Sequence, residues 1–478
     1  MRKKINLNNA KNIHFIGIGG ISMSGLAEIL HRDGFNVSGS DDVNGENTRR
    51  LASLGVKVFI PNASDNITAS STIDLVVYTA AVKPDNPEYA AAAQLGIKMV
   101  ERAAFIGEIL HGYDPICIAG SHGKTTTTSM MAEIALAAGL DPTVSIGGHL
   151  LSSAFGENGV NYRVGNSPVF ILEACEYSNS FHHWHPKIGV ITNTDADHLD
   201  FFGSMENLIE AFAKFASNIR PDGVLVIQKG VKGYEKITKA AKCEIITFSV
   251  NDVESNNTDT ENTITAENII YNAEKPSFDV FSNKTFQARV DLPMPGRYNM
   301  QNALAAFAAA AWLNVPAETI AAALCKVSGT KRRFEFKGTY NEAKIIDDYA
   351  HHPTEIQACL AAARQIMNAA ATPGKLICIF QPHTYTRTKN LLQDFATSFT
   401  DADEVVLVPI YAAREPFDPE ISSEILAEAV KKYNSNVKFL LNFDEAKNYL
   451  KEVLRPTDIA ITMGAGDVYE LGEEIIGS

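Results

Sequence analysis

Ala119-Gly120-Ser121-His122-Gly123-Lys124-Thr125-Thr126 follows an apolar stretch, Pro115–Ala119, and opens a helix pattern over Lys124–Ala138. Strand, glycine turn and helix in that order make a seat for phosphate. The glycines let the backbone wrap phosphate oxygens, and the loop amides and helix N-terminus supply positive potential. Lys124 is placed to reach β- and γ-phosphates, and the Thr125 hydroxyl to bind Mg²⁺. The spacing is G-x-x-G-K-T-T, shorter than the common G-x-x-x-x-G-K-[ST], with Ile118 where the longer form has its first glycine. The alternative, a glycine-rich turn beside a chance Lys-Thr, does not account for the strand before it and the helix after it.

Working outward, the same alternation repeats on both sides. Towards the N-terminus, a strand pattern at Ile13–Ile18 leads into Gly17-Ile18-Gly19-Gly20 and a helix with Ile21, Leu26, Ile29 and Leu30 apolar. Further strands are expected at Phe35–Val37, Val56–Ile60 and Leu75–Tyr78. After the central turn come Val169–Glu173, Ile188–Asn193 and Val224–Gln228, then a polar stretch at 254–268 read as an exposed loop, a hairpin near Ser277–Val290 and a helix at Ala303–Leu313. A third series follows at Ile345–Asp347, Leu376–Phe380, Val405–Pro409 and Ile459–Met463, closed by Gly464-Ala465-Gly466-Asp467. Strands alternating with helices predict parallel β-α-β units. The expected fold is α/β in three consecutive domains: a Rossmann-like 1–111, a central P-loop ATPase-like 112–327 and a Rossmann-like 328–478.

Composition bounds the function. At 478 residues the chain is too long for one core at about 100–200 residues per domain. Fifty-six acidic against forty-two basic residues give a net charge of −14, which argues against a nucleic-acid-binding surface. The longest apolar run, Ala303–Leu313, falls short of the roughly 18 residues a membrane span needs. Asn6, Asn8, Asn9, Lys11 and Asn12 stand where a secretory leader would be apolar, so a cytoplasmic protein is expected. Six scattered cysteines without a C-x-x-C pair point to neither a disulfide scaffold nor a structural zinc site.

Polar clusters at strand ends carry the remaining chemistry. Gly17–Gly20 with Ser22, and Ser40-Asp41 about twenty residues on, reads either as a ligand-free tight turn or as a seat for a nucleotide's phosphates, NAD among the candidates. Glu173, at the end of a neighbouring strand, is the first choice for a Mg²⁺ ligand and His198 the second. Asp195, Asp197 and Asp200 either join the site or merely cap and face water. His182-His183-Trp184-His185 lacks the surrounding Cys or Asp pattern of a metal site and reads as a surface or interface cluster. Paired Arg332-Arg333 suits a phosphate or a carboxylate. Asp347–Pro353 and Gln381–Arg387 follow buried strand patterns and point to a further site.

Together these motifs resemble the Mur ligases, the ATP-dependent ligases of peptidoglycan precursor synthesis. Gly120–Thr126, Asp195–Asp200, Gly296–Ala303, Arg332–Glu335 and Asp347–Pro353 match in order, over about Ile13 to Asp467. Cys175 stands where many members have Asp, Ser22 where glycine is common and Thr384 where a basic residue is frequent. The stretches His14–Gly20, Ser40-Asp41, Asp347–Pro353 and Phe380–Arg387 resemble the branch that joins L-alanine to the lactyl carboxylate of UDP-N-acetylmuramate, as a monomer or homodimer. A branch using a recycled tripeptide is the near alternative; a nicotinamide-dependent oxidoreductase would leave Gly120–Thr126 and Arg332–Glu335 unexplained, and a nucleotide-binding regulator would bind ATP without acceptor-dependent ADP release. The resemblance implies ATP on Gly120, Ser121, His122, Gly123, Lys124, Thr125 and Thr126, with Asn299 at the adenine and Arg332 assisting. It implies Mg²⁺ on Thr125, Glu173 and His198, and the UDP sugar on Gly19, Gly20, Ser22, Ser40 and Asp41. His383 and Arg387 would meet the muramyl and alanine end. Lys124, His198, Arg333 and His351 are the expected catalytic residues, with the third domain closing over ATP and the amino acid.

Overall fold

The computed structural model describes residues 5–7, 9–69, 72–150, 160–250, 262–272, 275–327, 329–369, 372 and 374–477. The chain parts into two compact units. One is Met1–Ser249 with Asp259–Ile264 and Ala305–Ala323, and the other Val250–Thr258 with Thr265–Leu304 and Leu324–Ser478. Its strands form three sheets that succeed one another along the chain.

In the first unit, β1 (Asn12–Ile16), β2 (Asn36–Ser40), β3 (Lys57–Phe59), β4 (Leu75–Tyr78) and β5 (Lys98–Glu101) form a parallel sheet in the order β3-β2-β1-β4-β5. Ile13, Phe15 and Ile16 are wholly buried, as the apolar run requires of a strand covered on both faces. The helix Ile21–Arg32 follows the first glycine turn and buries Met23, Leu26, Ile29 and Leu30. Gly25 of that helix meets the ring of Tyr162, where an added Cβ would lie 2.2 Å from ring carbons.

The second sheet contributes β6 (Asp114–Ala119), β7 (Thr143–Leu150), β8 (Val160–Arg163), β9 (Val169–Glu173), β10 (Ile188–Ile191), β11 (Val224–Gln228) and β12 (Glu244–Val250) to the same unit. Their order is β12-β11-β10-β6-β9-β7-β8, parallel except for β8. Strands β9 and β10 flank β6, so the loops after β6, β9 and β10 leave the carboxyl edge side by side, where α/β sheets place ligands.

In the second unit, β13 (Thr263–Asn272), β14 (Lys275–Ser282) and β15 (Thr285–Asp291) adjoin in sequence order. They are followed by β16 (Glu335–Tyr340), β17 (Ala343–Asp348), β18 (Leu376–Phe380), β19 (Glu404–Leu407), β20 (Val437–Phe439) and β21 (Ile459–Met463), ordered β16-β17-β21-β18-β19-β20. All pairs of this sheet are parallel except β16–β17. The last strand, β21, lies between β17 and β18, which gathers three loops far apart in sequence.

The loop expected at 254–268 is corrected in its second half. Thr263–Asn272 is a strand whose first four residues, Thr263, Ile264, Thr265 and Ala266, are all buried; 254–261 lie outside the described residues. Among the described residues, no helix is long and apolar enough to cross a membrane.

Candidate active site

Gly120 and Gly123 both adopt positive φ, at +137° and +80°. A Cβ on Gly120 would sit 2.0 Å from Thr192 Oγ1, so only glycine fits where the loop after β6 crosses the end of β10. The two loops are stitched together. Asn193 Oδ1 accepts the His122 N–H at 2.9 Å, Asn193 Nδ2 donates to the His122 carbonyl at 2.9 Å, and Ser121 Oγ donates to the Asp195 carbonyl at 2.8 Å. Gly123 then starts the helix Lys124–Ala137, which buries Thr125 and Thr126 in its first turn.

Lys124 Nζ folds back into the loop. It donates to the carbonyls of Gly120 (2.5 Å) and Ser121 (3.0 Å) and pairs with Glu176 Oε2 at 3.0 Å. Burial works against the Lys124 charge, but the Glu176 carboxylate, with Cys175 and Asp197 behind it, holds its pKa above the ordinary lysine value. Glu176 is itself wholly buried, and one ligand atom each from Glu176, Asp197 and His198 lies within 4.8 Å of the others. His198 reaches this position with φ +53°, and its ring packs 5.1 Å from Tyr177. Two carboxylates and an imidazole are a donor set that fits Mg²⁺ or Mn²⁺. Glu173, at the end of β9, accepts the Gly147 N–H of β7 on its Oε1 at 2.7 Å.

In the second unit the loops after β17, β18 and β21 meet. Arg332, at φ +61°, donates from Nε to Asp347 Oδ2 (3.1 Å) and from its other nitrogens to the carbonyls of Gly466 (2.9 Å) and Gly464 (2.5 Å). Its guanidinium also faces the rings of Tyr349 and Tyr469. Arg333 lies over the same Tyr349 ring at 5.1 Å. The rings of His351 and His383 meet at 5.9 Å, His383 stacks on Tyr411, and Arg387 donates to His383 Nδ1 at 3.2 Å. Burial, helped by Arg387, holds the His383 imidazole below its usual pKa, so it is neutral at pH 7.

Near the N-terminus, the Ser40 carbonyl accepts the N–H groups of Gly17 and Ile18, both at 2.8 Å, and Asp41 Oδ2 accepts that of Gly19 at 2.9 Å. Gly20 caps the helix that carries Ser22.

Three family profiles match in succession: the Mur ligase family catalytic domain over 12–114, the Mur ligase middle domain over 118–310, and the Mur ligase glutamate ligase domain over 332–466. The chain belongs to the Mur ligase family. Among similar Mur ligases, the UDP-N-acetylmuramate–L-alanine ligase of Clostridium novyi is 44% identical, covering 97% of each chain. That of Agathobacter rectalis is 45% identical over 99% of each. Of the solved structures, the UDP-N-acetylmuramate–alanine ligase of Thermotoga maritima superimposes with a TM-score of 0.76 at 28% identity, covering 98% of each chain. A murein peptide ligase of Psychrobacter arcticus gives 0.66 at 25% identity, again over 98% of each.

Set against the motifs, this Mur ligase chain brings Lys124 and His198 into one cluster and His351, His383 and Arg387 into another. Sequence reasoning missed Glu176 as the carboxylate beside Lys124, although it stands three residues after Glu173. It left Asp197 open, and the structure sets it beside His198; the side chain of Asp200 lies outside the described residues. Asn299 is buried, donating to the Pro295 carbonyl at 2.7 Å. In the histidine cluster, His183 and His185 are exposed and His182 is half-buried, bonding the Ala211 carbonyl, while Trp184 between them is buried with its indole N–H on the Ala103 carbonyl.

Asp348 supplies a test of the second unit. Burial pushes its carboxyl up to about 6, against the pull of Arg333 and of two N–H groups, Ala350 and Phe334, both at 2.7 Å. Between about pH 4 and pH 6 the unfolded chain binds fewer protons at this group than the native one. Its contribution is therefore present in full below pH 4 and lost as pH rises through 6, amounting to about 3 kcal/mol. Urea unfolding of wild type and Asp348→Asn should show wild type losing about that much relative to the variant between pH 4 and pH 7. Parallel pH profiles for the two would refute it.

Proposed function

We propose that the chain is an ATP-dependent ligase that joins L-alanine to the lactyl carboxylate of UDP-N-acetylmuramate in the cytoplasm, releasing ADP and phosphate. The observation that carries this reading is the phosphate-type loop Gly120–Thr126 with Lys124 set against Glu176, Asp197 and His198 on adjoining strand ends. The full-length likeness to relatives bearing that name supports the choice of acceptor.

The physical problem is to bring a carboxylate to a triphosphate. The loop amides, the N-terminus of the helix Lys124–Ala137 and the Lys124 ammonium would neutralise the β- and γ-phosphates. Thr125, Glu176, Asp197 and His198 would hold the Mg²⁺, with Glu173 as the alternative carboxylate named by the motif. When bound, the metal would supply further charge neutralisation to the phosphates. The lactyl carboxylate oxygen would attack the γ-phosphorus, breaking its bond to ADP and giving an acyl phosphate. The L-alanine amine would then attack that carbonyl, and phosphate would leave with the bond electrons while the amine sheds its proton. Gly19, Gly20, Ser22 and Asp41 would serve the UDP part, and His351, His383 and Arg387 the amino-acid end.

The test is ADP release by the purified protein with ATP, Mg²⁺ and UDP-N-acetylmuramate, with and without L-alanine. Release that requires L-alanine is the expected result. Release that instead requires the tripeptide would move the chain to the recycling branch, and no release with either would overturn the substrate assignment.

A further inference from the structure

Glu88, on the helix Pro87–Gln94, is 0% exposed, and so is His14 of β1, whose Nε2 lies 3.2 Å from Glu88 Oε2. The carboxylate is the centre of a node. Its Oε2 also takes the Ser40 hydroxyl, which Ser40 shares with Asn62 Oδ1 at 2.6 Å. Its Oε1 accepts the Ala63 N–H at 3.2 Å and Asn66 Nδ2 at 2.6 Å, while His14 Nδ1 lies 2.9 Å from Ser38 Oγ. One carboxylate thus gathers β1, the end of β2, the chain after β3 and its own helix. Burial disfavours the Glu88 charge, yet His14, Ser40 and Asn66 together bring its pKa below the ordinary value.

A buried carboxylate with polar partners is a poor way to gain stability, because apolar residues of similar volume often pack at least as well. A fully satisfied polar node does fix one arrangement against its neighbours. What this node fixes is Ser40. The Ser40 carbonyl accepts the N–H groups of Gly17 and Ile18, so the residue that Glu88 holds by its side chain holds the glycine turn by its main chain. The Ser40 hydroxyl is turned inward and fully buried, which leaves it no face for a ligand.

We infer that Glu88, backed by His14, is a positioning residue for the nucleotide sugar: it sets Ser40, and through the Ser40 carbonyl the Gly17–Gly20 turn, in the shape that receives the diphosphate. This rests on the reading of that turn as the UDP-sugar seat. Ser40 then acts through its carbonyl, and its place among the ligand contacts passes to the turn it holds.

Glu88→Gln keeps the volume and replaces one acceptor with a donor facing His14 and Ser40. Its KM for UDP-N-acetylmuramate should rise about tenfold or more, with kcat and the KM for ATP within about threefold of wild type. His14→Gln, which retains a donor towards Glu88, should stay near wild type, and His14→Phe should show the raised KM. Calorimetric titration with UDP-N-acetylmuramate alone reads the same effect without turnover. Wild type that binds the sugar while a folded Glu88→Gln binds it equally would overturn the inference and leave the ligase reading standing. Wild type that does not bind it would overturn both. Should Glu88→Gln fail to fold, the His14 pair decides: equal KM values for Gln and Phe, or a rise in the ATP KM to match, would mark the node as structural only.

Discussion

Lys124→Ala is expected to lower the ligation rate by about two to three orders of magnitude and, separately, to weaken the fold by about 3–5 kcal/mol. The two losses have different origins. The rate falls because the charge set against the phosphates is gone. The stability falls because Glu176 is wholly buried and Lys124 is its cationic partner at 3.0 Å. Removing one member of a buried pair leaves the other charge desolvated without compensation. The double variant Lys124→Ala/Glu176→Gln separates the two effects. It should recover most of the urea-unfolding midpoint and none of the ADP release. A single variant that unfolds at the wild-type midpoint would show that Glu176 does not depend on Lys124. One that still ligates at near wild-type rate would remove the loop from the phosphate site.

Arg332→Ala is the second large effect, about 3–5 kcal/mol on the second unit, again because Asp347 is left buried. Arg332→Lys should rescue little of it. A lysine offers one compact charge, whereas the guanidinium fork spans Asp347 and the carbonyls of Gly464 and Gly466 at once. Arg333→Ala, one residue on, should cost less, about 1–2 kcal/mol: its side chain rests half-buried on the Tyr349 ring, and the buried Asp348 whose charge it favours keeps its two N–H partners. Unfolding midpoints of the three variants test the contrast. Equal losses at 332 and 333 would show that the fork is not what joins the loops.

These two residues also mark where sequence reasoning reaches and where it stops. Apolar runs such as Val169–Glu173, Leu376–Phe380 and Ile459–Met463 are strands to the residue, because strands covered on both faces need uninterrupted apolar sequence. The Lys124 loop was legible because its chemistry is local: glycines, lysine and threonine act within one turn. Glu176 was not. Beyond the end of β9 the strand's alternation no longer says which side chain turns towards the neighbouring loop. Ser178 and Asn179, both at φ +55°, bend the chain there in a way composition does not announce. The Arg332 doublet announced anion chemistry, but its partners Gly464 and Gly466 lie 132 and 134 residues away, and only the insertion of β21 between β17 and β18 brings them together. The His14–Glu88 pair, 74 residues apart, was silent for the same reason. The strand β13 was missed because two of its four buried residues, Thr263 and Thr265, are polar, so its start reads as a continuation of the polar stretch before it.

The contact of Gly25 with the Tyr162 ring has a consequence for how such chains can change over time. The helix that begins at the first glycine turn and the strand β8 of the second sheet meet there with no room for a methyl group. A substitution at 25 alone would wedge the helix away from the ring, and a smaller residue at 162 alone would open a hole against the glycine. The two positions are therefore bound to one another's history. A descendant that gains a side chain at 25 must give up bulk at 162, and the seat of the first turn would stay in register with the second sheet only through paired exchange.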